Sequence, residues 1–366
     1  MGPELKRGAP SPKRLRRVGD KRLRPILAIA LIALFLGTFL LKSCAPDGPS
    51  RNTEVKPAPA VLAPAPPFNS DSAYAFVAKQ VSFGPRVPGS PAHKACADWM
   101  VETLYRFGAD TAHEQKGNVI AFNGQPVPLR NIIASWNPLA KDRVLLMAHY
   151  DSRPFADHDD ERQNQPIDGA NDGASGVAIW LELARHLGDS TSPTKAGTLG
   201  VDIFLTDVED MGQPNQGVMG AGTDQASIKT WCLGSQYWVK NPHVPDYTAR
   251  FGILLDMVGS VDAKFPREAL SMKFAPQVVN RIWKAAAATG HGDRFLSETR
   301  GYVGIDDHVV VHEGTGIPVA DIIAWDAATG AFPKTWHTHE DNLSGIDKES
   351  LQAVGTTVMQ VVWSEK

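Results

Sequence analysis

The chain has 366 residues, is 43% hydrophobic and 21% charged, and carries a formal net charge of −3 at pH 7. That composition belongs to an ordinary globular chain able to bury a sizeable core, which excludes a disordered, collagen-like or multi-span membrane protein. Three cysteines, Cys44, Cys96 and Cys232, with no C-x-x-C pair, exclude a disulfide scaffold and a thiolate zinc knuckle.

The charge is unevenly spread. Residues 1–25 hold nine Lys/Arg against Glu4 and Asp20. The remainder is therefore markedly acidic, which argues against nucleic acid as a partner. Residues 26–41, I-L-A-I-A-L-I-A-L-F-L-G-T-F-L-L, follow as an uncharged apolar run between Arg24 and Lys42. The run is short of the ~20 residues of an untilted span, and fits a signal anchor or the apolar part of a signal sequence. It has no polar face, so it does not read as a core helix. The positive-inside tendency leaves 1–25 as a basic cytoplasmic tail and exports the rest, placing the protein in the periplasm, held at the inner membrane by this segment. The stretch L-K-S-C gives the alternative of a lipoprotein attached at Cys44. Residues 42–68, with P-A-P-A-V-L-A-P-A-P-P, read as an extended Pro/Ala-rich linker. One domain is expected over 69–366, without internal repeats.

Within it, helical periodicity predicts helices over 71–81, 93–107, 175–187, 276–288 and 348–363, the last with Asp347 as N-cap. Apolar runs predict strands over 131–136, 143–149, 201–206, 252–258 and 317–323, most of them continuous, as in a sheet covered on both faces. The expected fold is a layered α/β domain with a largely parallel sheet.

Polar residues gather where those strands end. V-L-L-M-A-H-Y-D-S-R places His149 and Asp151 two apart on one face. G-A-N-D-G-A-S-G sets Asp172 among small residues that permit close backbone approach, although a turn or cap would use the same residues. V-D-I-F-L-T-D-V-E-D delivers Asp207, Glu209 and Asp210, which repel one another unless a cation or shared proton compensates. G-I-L-L-D-M-V-G embeds Asp256 in an apolar run, where a carboxylate needs a partner. I-D-D-H brings Asp306, Asp307 and His308, and W-H-T-H-E-D-N brings Trp336, His337 and His339. Oxygen and imidazole groups without thiolate suit zinc in a catalytic site that keeps an open position.

The order H-x-D, N-D-G, E-D, L-D-M and W-H-T resembles the exported zinc aminopeptidases and their relatives, the glutaminyl-peptide cyclotransferases of animals and bacteria. The resemblance runs from about Ser82 to Trp363. It implies a three-layer sandwich with a central, mostly parallel mixed sheet. The aminopeptidases resemble the chain in all five metal positions, but commonly have S-D-H and Y-H-T where this sequence has Asp306-Asp307-His308 and Trp336-His337-Thr338. D-D-H, W-H-T and the segment Arg86 to Gly89 are similar to the cyclotransferases. Two departures stand out. Asp210 occupies the place of a glutamate in the animal cyclases, and the insertion M-G-Q-P-N-Q-G-V-M-G-A-G separates it from Trp231, so the indole that walls the pocket is undetermined. Phe332 and Trp336 match the other pocket aromatics.

The resemblance implies one zinc on Asp172, Asp210 and His337, with Glu209 moving the proton and Asp256 and Asp306 assisting by hydrogen bonds. The substrates implied are peptides or proteins with a free N-terminal glutamine, closed to pyroglutamate with loss of ammonia. The alternative, an exported aminopeptidase, implies two zinc ions and draws His149, Asp151 and Asp256 in as second-metal or supporting residues. A non-catalytic peptide-binding relative would lack the acid beside a metal ligand, and Glu209 is present. The acidic loop 156–163 is expected to be a solvated rim rather than a calcium loop, and Cys96 and Cys232 are candidates for a pair in an oxidising compartment.

Overall fold

The computed structural model describes residues 64–197, 199–214, 229–326 and 328–365. The basic tail, the apolar run, most of the linker and most of the insertion after Asp210 lie outside the described residues. No described helix is long and apolar enough to cross a membrane. Asn69 opens the first helix, α1 (Ser70–Val81), its Oδ1 accepting from the Ser72 N–H at 3.0 Å. Phe68, one residue ahead of the expected start, is already buried, its ring occupying the space a side chain at Gly355 would need.

The chain continues through α2 (Pro91–Arg106), β1 (Thr111–Ile120), β2 (Pro126–Trp136), β3 (Arg143–His149), α3 (Ala174–Leu187), α4 (Pro193–Ala196) and β4 (Gly200–Thr206). Then come α5 (Leu233–Lys240), β5 (Phe251–Asp256), β6 (Phe265–Arg267), α6 (Ala269–Phe274), α7 (Pro276–Ala288), β7 (Phe295–Thr299), α8 (Asp307–Thr315), β8 (Val319–Ile323) and α9 (Lys348–Trp363). Six strands form one sheet in the order β1-β2-β4-β3-β5-β8, and β6 and β7 pair separately. The β4-β3, β3-β5 and β5-β8 pairings are parallel, whereas β2 runs antiparallel to both β1 and β4.

Alternation explains why the central strands read as unbroken apolar runs. Val144, Leu146 and Ala148 of β3 join the larger core beneath α1, α3 and α9, while Leu145 and Met147 join a second core with Trp238 of α5 and Val311 of α8. The sheet is thus covered on both faces, giving the three-layer sandwich. Helix α9 starts as expected: Asp347 accepts from the Glu349 and Ser350 N–H groups.

The elements missing from the sequence reading have physical reasons. Strand β1, T-A-H-E-Q-K-G-N-V-I, lies at the sheet edge and is largely exposed, so charge there is tolerated and no apolar run marks it. Pro126 and Pro128 mask the first half of β2. The valines 309–311 suit a strand by propensity but fold as α8, whose first residue follows the cap Asp306.

Close approach of α3 to the sheet rests on Gly176, where an added Cβ would lie 2.3 Å from the Leu255 carbonyl oxygen and 3.1 Å from Ala148 Cβ. Helix propensity alone favours alanine over glycine by ~1 kcal/mol. Overpacking against backbone outweighs it, so Gly176→Ala is expected to lower stability by about 1–3 kcal/mol in urea denaturation; a stabilised variant would contradict this packing.

Candidate active site

The parallel strands deliver their carboxyl ends to one edge, the usual place for a site in an α/β sheet. His149 ends β3, Asp256 ends β5, the Asp207–Asp210 segment follows β4 and Trp325 follows β8. A cavity of ≈ 250 Å³ opens there. Asp172, Glu209, Asp210, Asp256, Asp306 and His337 supply its polar lining, and Trp231, Trp325, Phe332, Trp336 and Tyr302 its aromatic one.

Two groups of candidate ligands share Asp172. On one side His337 Nε2 lies 3.1 Å from Asp210 Oδ1 and 3.6 Å from Asp172 Oδ2. On the other, His149 Nε2 lies 3.0 Å from Asp172 Oδ1 and 3.3 Å from Asp256 Oδ1. The ligand atoms of Asp172, Asp210 and His337 all fall within 4.8 Å of one another, as do those of His149, Asp172 and Asp256. Asp172 Oδ2 and Asp210 Oδ2 are buried without a hydrogen-bond partner. Buried carboxylate oxygens facing an imidazole with nothing to satisfy them fit a cation.

The supports are fixed by backbone contacts. Asp151 does not line the cavity: its two oxygens accept from the Glu209 and Asp210 N–H groups at 3.1 Å each, and Oδ1 stands 3.6 Å from His149 Nδ1. Asp341 does the same for the loop carrying Asp172, accepting from Asn171 N–H at 2.7 Å and Asp172 N–H at 3.0 Å. The buried Arg86 guanidinium donates to the carbonyls of Tyr150, Asp168 and Gly169. Gly169 and Gly173 both have positive φ, and a Cβ on Gly173 would sit 2.9 Å from the Asp151 carbonyl oxygen, so small residues are required here. Asp172 is not the helix cap; Gly173 holds that position without a side-chain bond.

Arg153 binds Asp157 through two bonds of 2.7 and 2.8 Å and donates to the Asp210 carbonyl at 2.9 Å. Asp157 in turn lies 3.2 Å from His337 Nδ1, the arrangement that orients a ligating imidazole. The acidic loop is therefore only partly the solvated rim expected of it: Asp157 and Asp159 clasp Arg153, His337 and His339, while Asp160 and Glu161 remain exposed.

Crowding sets the protonation. Burial, reinforced by Asp210, Asp307 and Asp306 and opposed by His149, pushes Glu209 well above the usual carboxylate range. Burial likewise raises Asp256 to about 7 despite its bond to His149, with Asp306 and Asp172 adding to the rise. Burial also works against Asp172, but His149, His337 and Arg153 outweigh it and keep that carboxyl below its ordinary value.

The sequence motifs separate on folding. In D-D-H, Asp306 reaches the cavity, the Asp307 carboxylate accepts from the Thr206 hydroxyl, and His308 sits between Glu268 and Asp306 at 3.3 and 3.8 Å. Asp207 turns away to pair with His93 at 2.8 Å. Phe332 and Trp336 are in the wall, 4.8 Å between ring centroids, and Trp336 stacks on His337 at 3.8 Å. The undetermined indole is Trp231, parallel to the His337 ring at 6.0 Å and covered by the Arg153 guanidinium. Cys96 and Cys232 are both free and buried rather than paired. The roles of Arg153, Asp157, Arg86 and Asp341 escaped sequence reasoning, although Arg153 closes the H-Y-D-S-R motif, Asp157 lies in the acidic loop 156–163 and Arg86 and Asp341 sit inside recognisable motifs; Trp231 was in view only as the indole beyond the insertion.

If Asp341 holds the Asp172 loop, Asp341→Ala strands two buried N–H groups and should cost about 2–4 kcal/mol in urea denaturation, with Asp341→Asn costing less because one acceptor oxygen remains. Equal stability of the alanine variant and the parent would remove Asp341 from this role.

Residues 131–362 match peptidase family M28. The chain is 44% identical, with a TM-score of 0.77, to the glutaminyl cyclase of Bacteroides thetaiotaomicron bound to N-acetylhistamine, over 83% of this chain and 100% of that one. It is 46% identical, with a TM-score of 0.75, to a Zn-dependent exopeptidase from Parabacteroides distasonis, over 82% and 99%. The bovine (Bos taurus) glutaminyl-peptide cyclotransferase is 28% identical over 299 residues, 73% of this chain and 74% of that protein. The sheet order, the acids and histidines at the strand ends and these likenesses together make the chain a member of peptidase family M28.

Proposed function

We infer that the chain is a glutaminyl-peptide cyclotransferase, converting the N-terminal glutamine of peptides or proteins to pyroglutamate. The observation that carries this reading is the placement of Glu209 and Asp306 in one aromatic-walled cavity: their carboxyl oxygens come within 4.8 Å of each other, beside Asp172, Asp210 and His337. The likeness to several glutaminyl cyclases, including those of Tannerella forsythia and Porphyromonas gingivalis at 45% identity, supports the same reading.

The orphaned oxygens of Asp172 and Asp210 and the His337 imidazole fit zinc, and we assign one ion to these three residues. Bound there, zinc would supply Lewis-acid polarisation of the substrate's γ-carboxamide carbonyl. The remaining work falls to the chain. In the reaction the free α-amine attacks the carbonyl carbon of its own γ-carboxamide, forming the lactam C–N bond, and the bond from that carbon to the amide nitrogen breaks with release of ammonia. Trp231, Phe332 and Trp336 exclude water from the reacting carbon and hold the side chain curled, so ring closure gains from proximity. Glu209 takes the proton that the amine loses and returns it to the departing nitrogen. Asp306 and Asp256, the latter hydrogen-bonded to His149, line the same cavity and accept hydrogen bonds from the reacting nitrogens. No external nucleophile is needed, which is why a peptidase scaffold serves this chemistry.

His149, Asp172 and Asp256 could hold a second ion, as an aminopeptidase reading would require, but there His149 Nε2 is hydrogen-bonded to Asp256 Oδ1 at 3.3 Å and Asp256 has no buried, unpartnered oxygen like those of Asp172 and Asp210. Residues 1–25, 26–41 and 42–68 support export with an N-terminal anchor, so the proposed substrates are periplasmic; recovery of the full-length chain from the cytoplasmic fraction would contradict this.

Mass spectrometry of a peptide with N-terminal glutamine separates the activities: loss of one ammonia per molecule is expected, and loss of a whole residue would establish the peptidase instead. Glu209→Gln and Asp306→Asn should each lower turnover by a factor of ~100 to ~1,000 with a much smaller change in KM. Their combined effect should fall short of the product, because both serve one proton path. Near-normal cyclisation by Asp306→Asn would remove it from the mechanism.

A further inference from the structure

Among the described residues, one side chain donates to the Glu209 carboxyl: the thiol of Cys232, whose Sγ lies 3.1 Å from Glu209 Oε1. Cys232 is fully buried and Glu209 only partly, so the thiol approaches from behind while the carboxyl faces the cavity. We propose that Cys232 is a positioning residue for the cyclisation, its S–H fixing Oε1 so that Oε2 is the oxygen presented to the substrate's amine. The proposal rests on the role assigned to Glu209 above.

Three backbone contacts put the thiol there. Cys232 N–H donates to the Glu209 carbonyl at 3.1 Å and Leu233 N–H to the Val208 carbonyl at 3.0 Å. Gly234 presses so closely on the strand end that a Cβ would meet the Asp207 carbonyl oxygen at 2.0 Å. Cys232 itself is left-handed, with φ of 52°, and Val208 opposite has φ of 54°. A cysteine pays for left-handed backbone that glycine or asparagine would adopt more readily, so its presence there calls for a side-chain reason. Burial and the nearby charges of Glu209, Asp307 and Asp306 keep the thiol protonated, as a donor must be. The donor is weak, which suits a group that must orient Glu209 without holding its proton too tightly.

The experiment compares Cys232→Ala, Cys232→Gly, Cys232→Ser, Glu209→Gln and the double variant Glu209→Gln/Cys232→Ala in the full-length zinc enzyme, with cyclisation kinetics, metal content and thermal melting. Both variants without a donor should lose roughly 5- to 10-fold in kcat with KM within about twofold, and serine should recover most of that. Glycine relaxes the left-handed backbone, so the test survives if alanine fails to fold. In the Glu209→Gln background the Cys232→Ala loss should vanish, since the thiol acts through the missing carboxyl. Parental kcat in the glycine variant would overturn the proposal, and so would a full loss persisting without Glu209, the mark of a merely structural role. Parental turnover by Glu209→Gln would instead overturn the cyclisation mechanism itself.

Discussion

Carboxylates buried side by side repel, and the architecture of this domain is arranged around holding them together. Asp172, Glu209, Asp210, Asp256 and Asp306 line one cavity with His337, and His149 sits directly behind. In a medium of low dielectric such a group persists only if cations or shared protons compensate it. The two histidines and Arg153 provide part of that, the raised proton affinity of Glu209 and Asp256 equips them to accept protons, and the unpartnered oxygens of Asp172 and Asp210 mark where compensation is still owed. Remove the compensation and the strand ends would splay; supply it and the same acids become a proton-handling surface beside a Lewis acid.

The cost appears in the backbone. Val208, Cys232, Met257 and His337 are non-glycine residues with φ between 49° and 58°, and each either belongs to the site or adjoins one of its acids. Conformations of this kind cost of order 1–3 kcal/mol apiece and persist only where surrounding structure over-determines them. Here the surroundings are specific: Asp151 across the 209–210 N–H groups, Asp341 across those of 171–172, and Arg86 across three carbonyls. An aminopeptidase or a cyclase built on this frame would need a polarised carbonyl and a mobile proton alike, and the two would differ in whether water or the substrate's own amine is the nucleophile.

How much of this could be read beforehand depended on the range of the interaction. Strand ends were legible because a buried parallel strand is an apolar run, and a carboxylate or imidazole closing it, as His149 and Asp256 do, stands out. Edge strand β1 was not, because solvent lets Glu114 and Lys116 sit where a central strand would need apolar residues. The small neighbours of Asp172 left a turn or cap open, and the resemblance made it a site residue and drew in Asp151 as a second-metal or supporting residue; the actual work of Asp151 and Asp341 is to accept backbone N–H groups distant in sequence, which no local pattern records. Trp231 stayed undetermined as the pocket indole because the insertion hid its alignment. Cys232 looked like half of a disulfide until folding placed its sulfur against Glu209.

The central claim is that one cation completes the acid cluster, between Asp172, Asp210 and His337. Anomalous diffraction across the zinc absorption edge, from crystals of the full-length enzyme grown with excess zinc, tests it most directly. The account predicts a single strong peak bonded to those three side chains, with His149 and Asp256 still in contact with each other. A second peak of comparable height between His149 and Asp256, or a single peak located there, would contradict it.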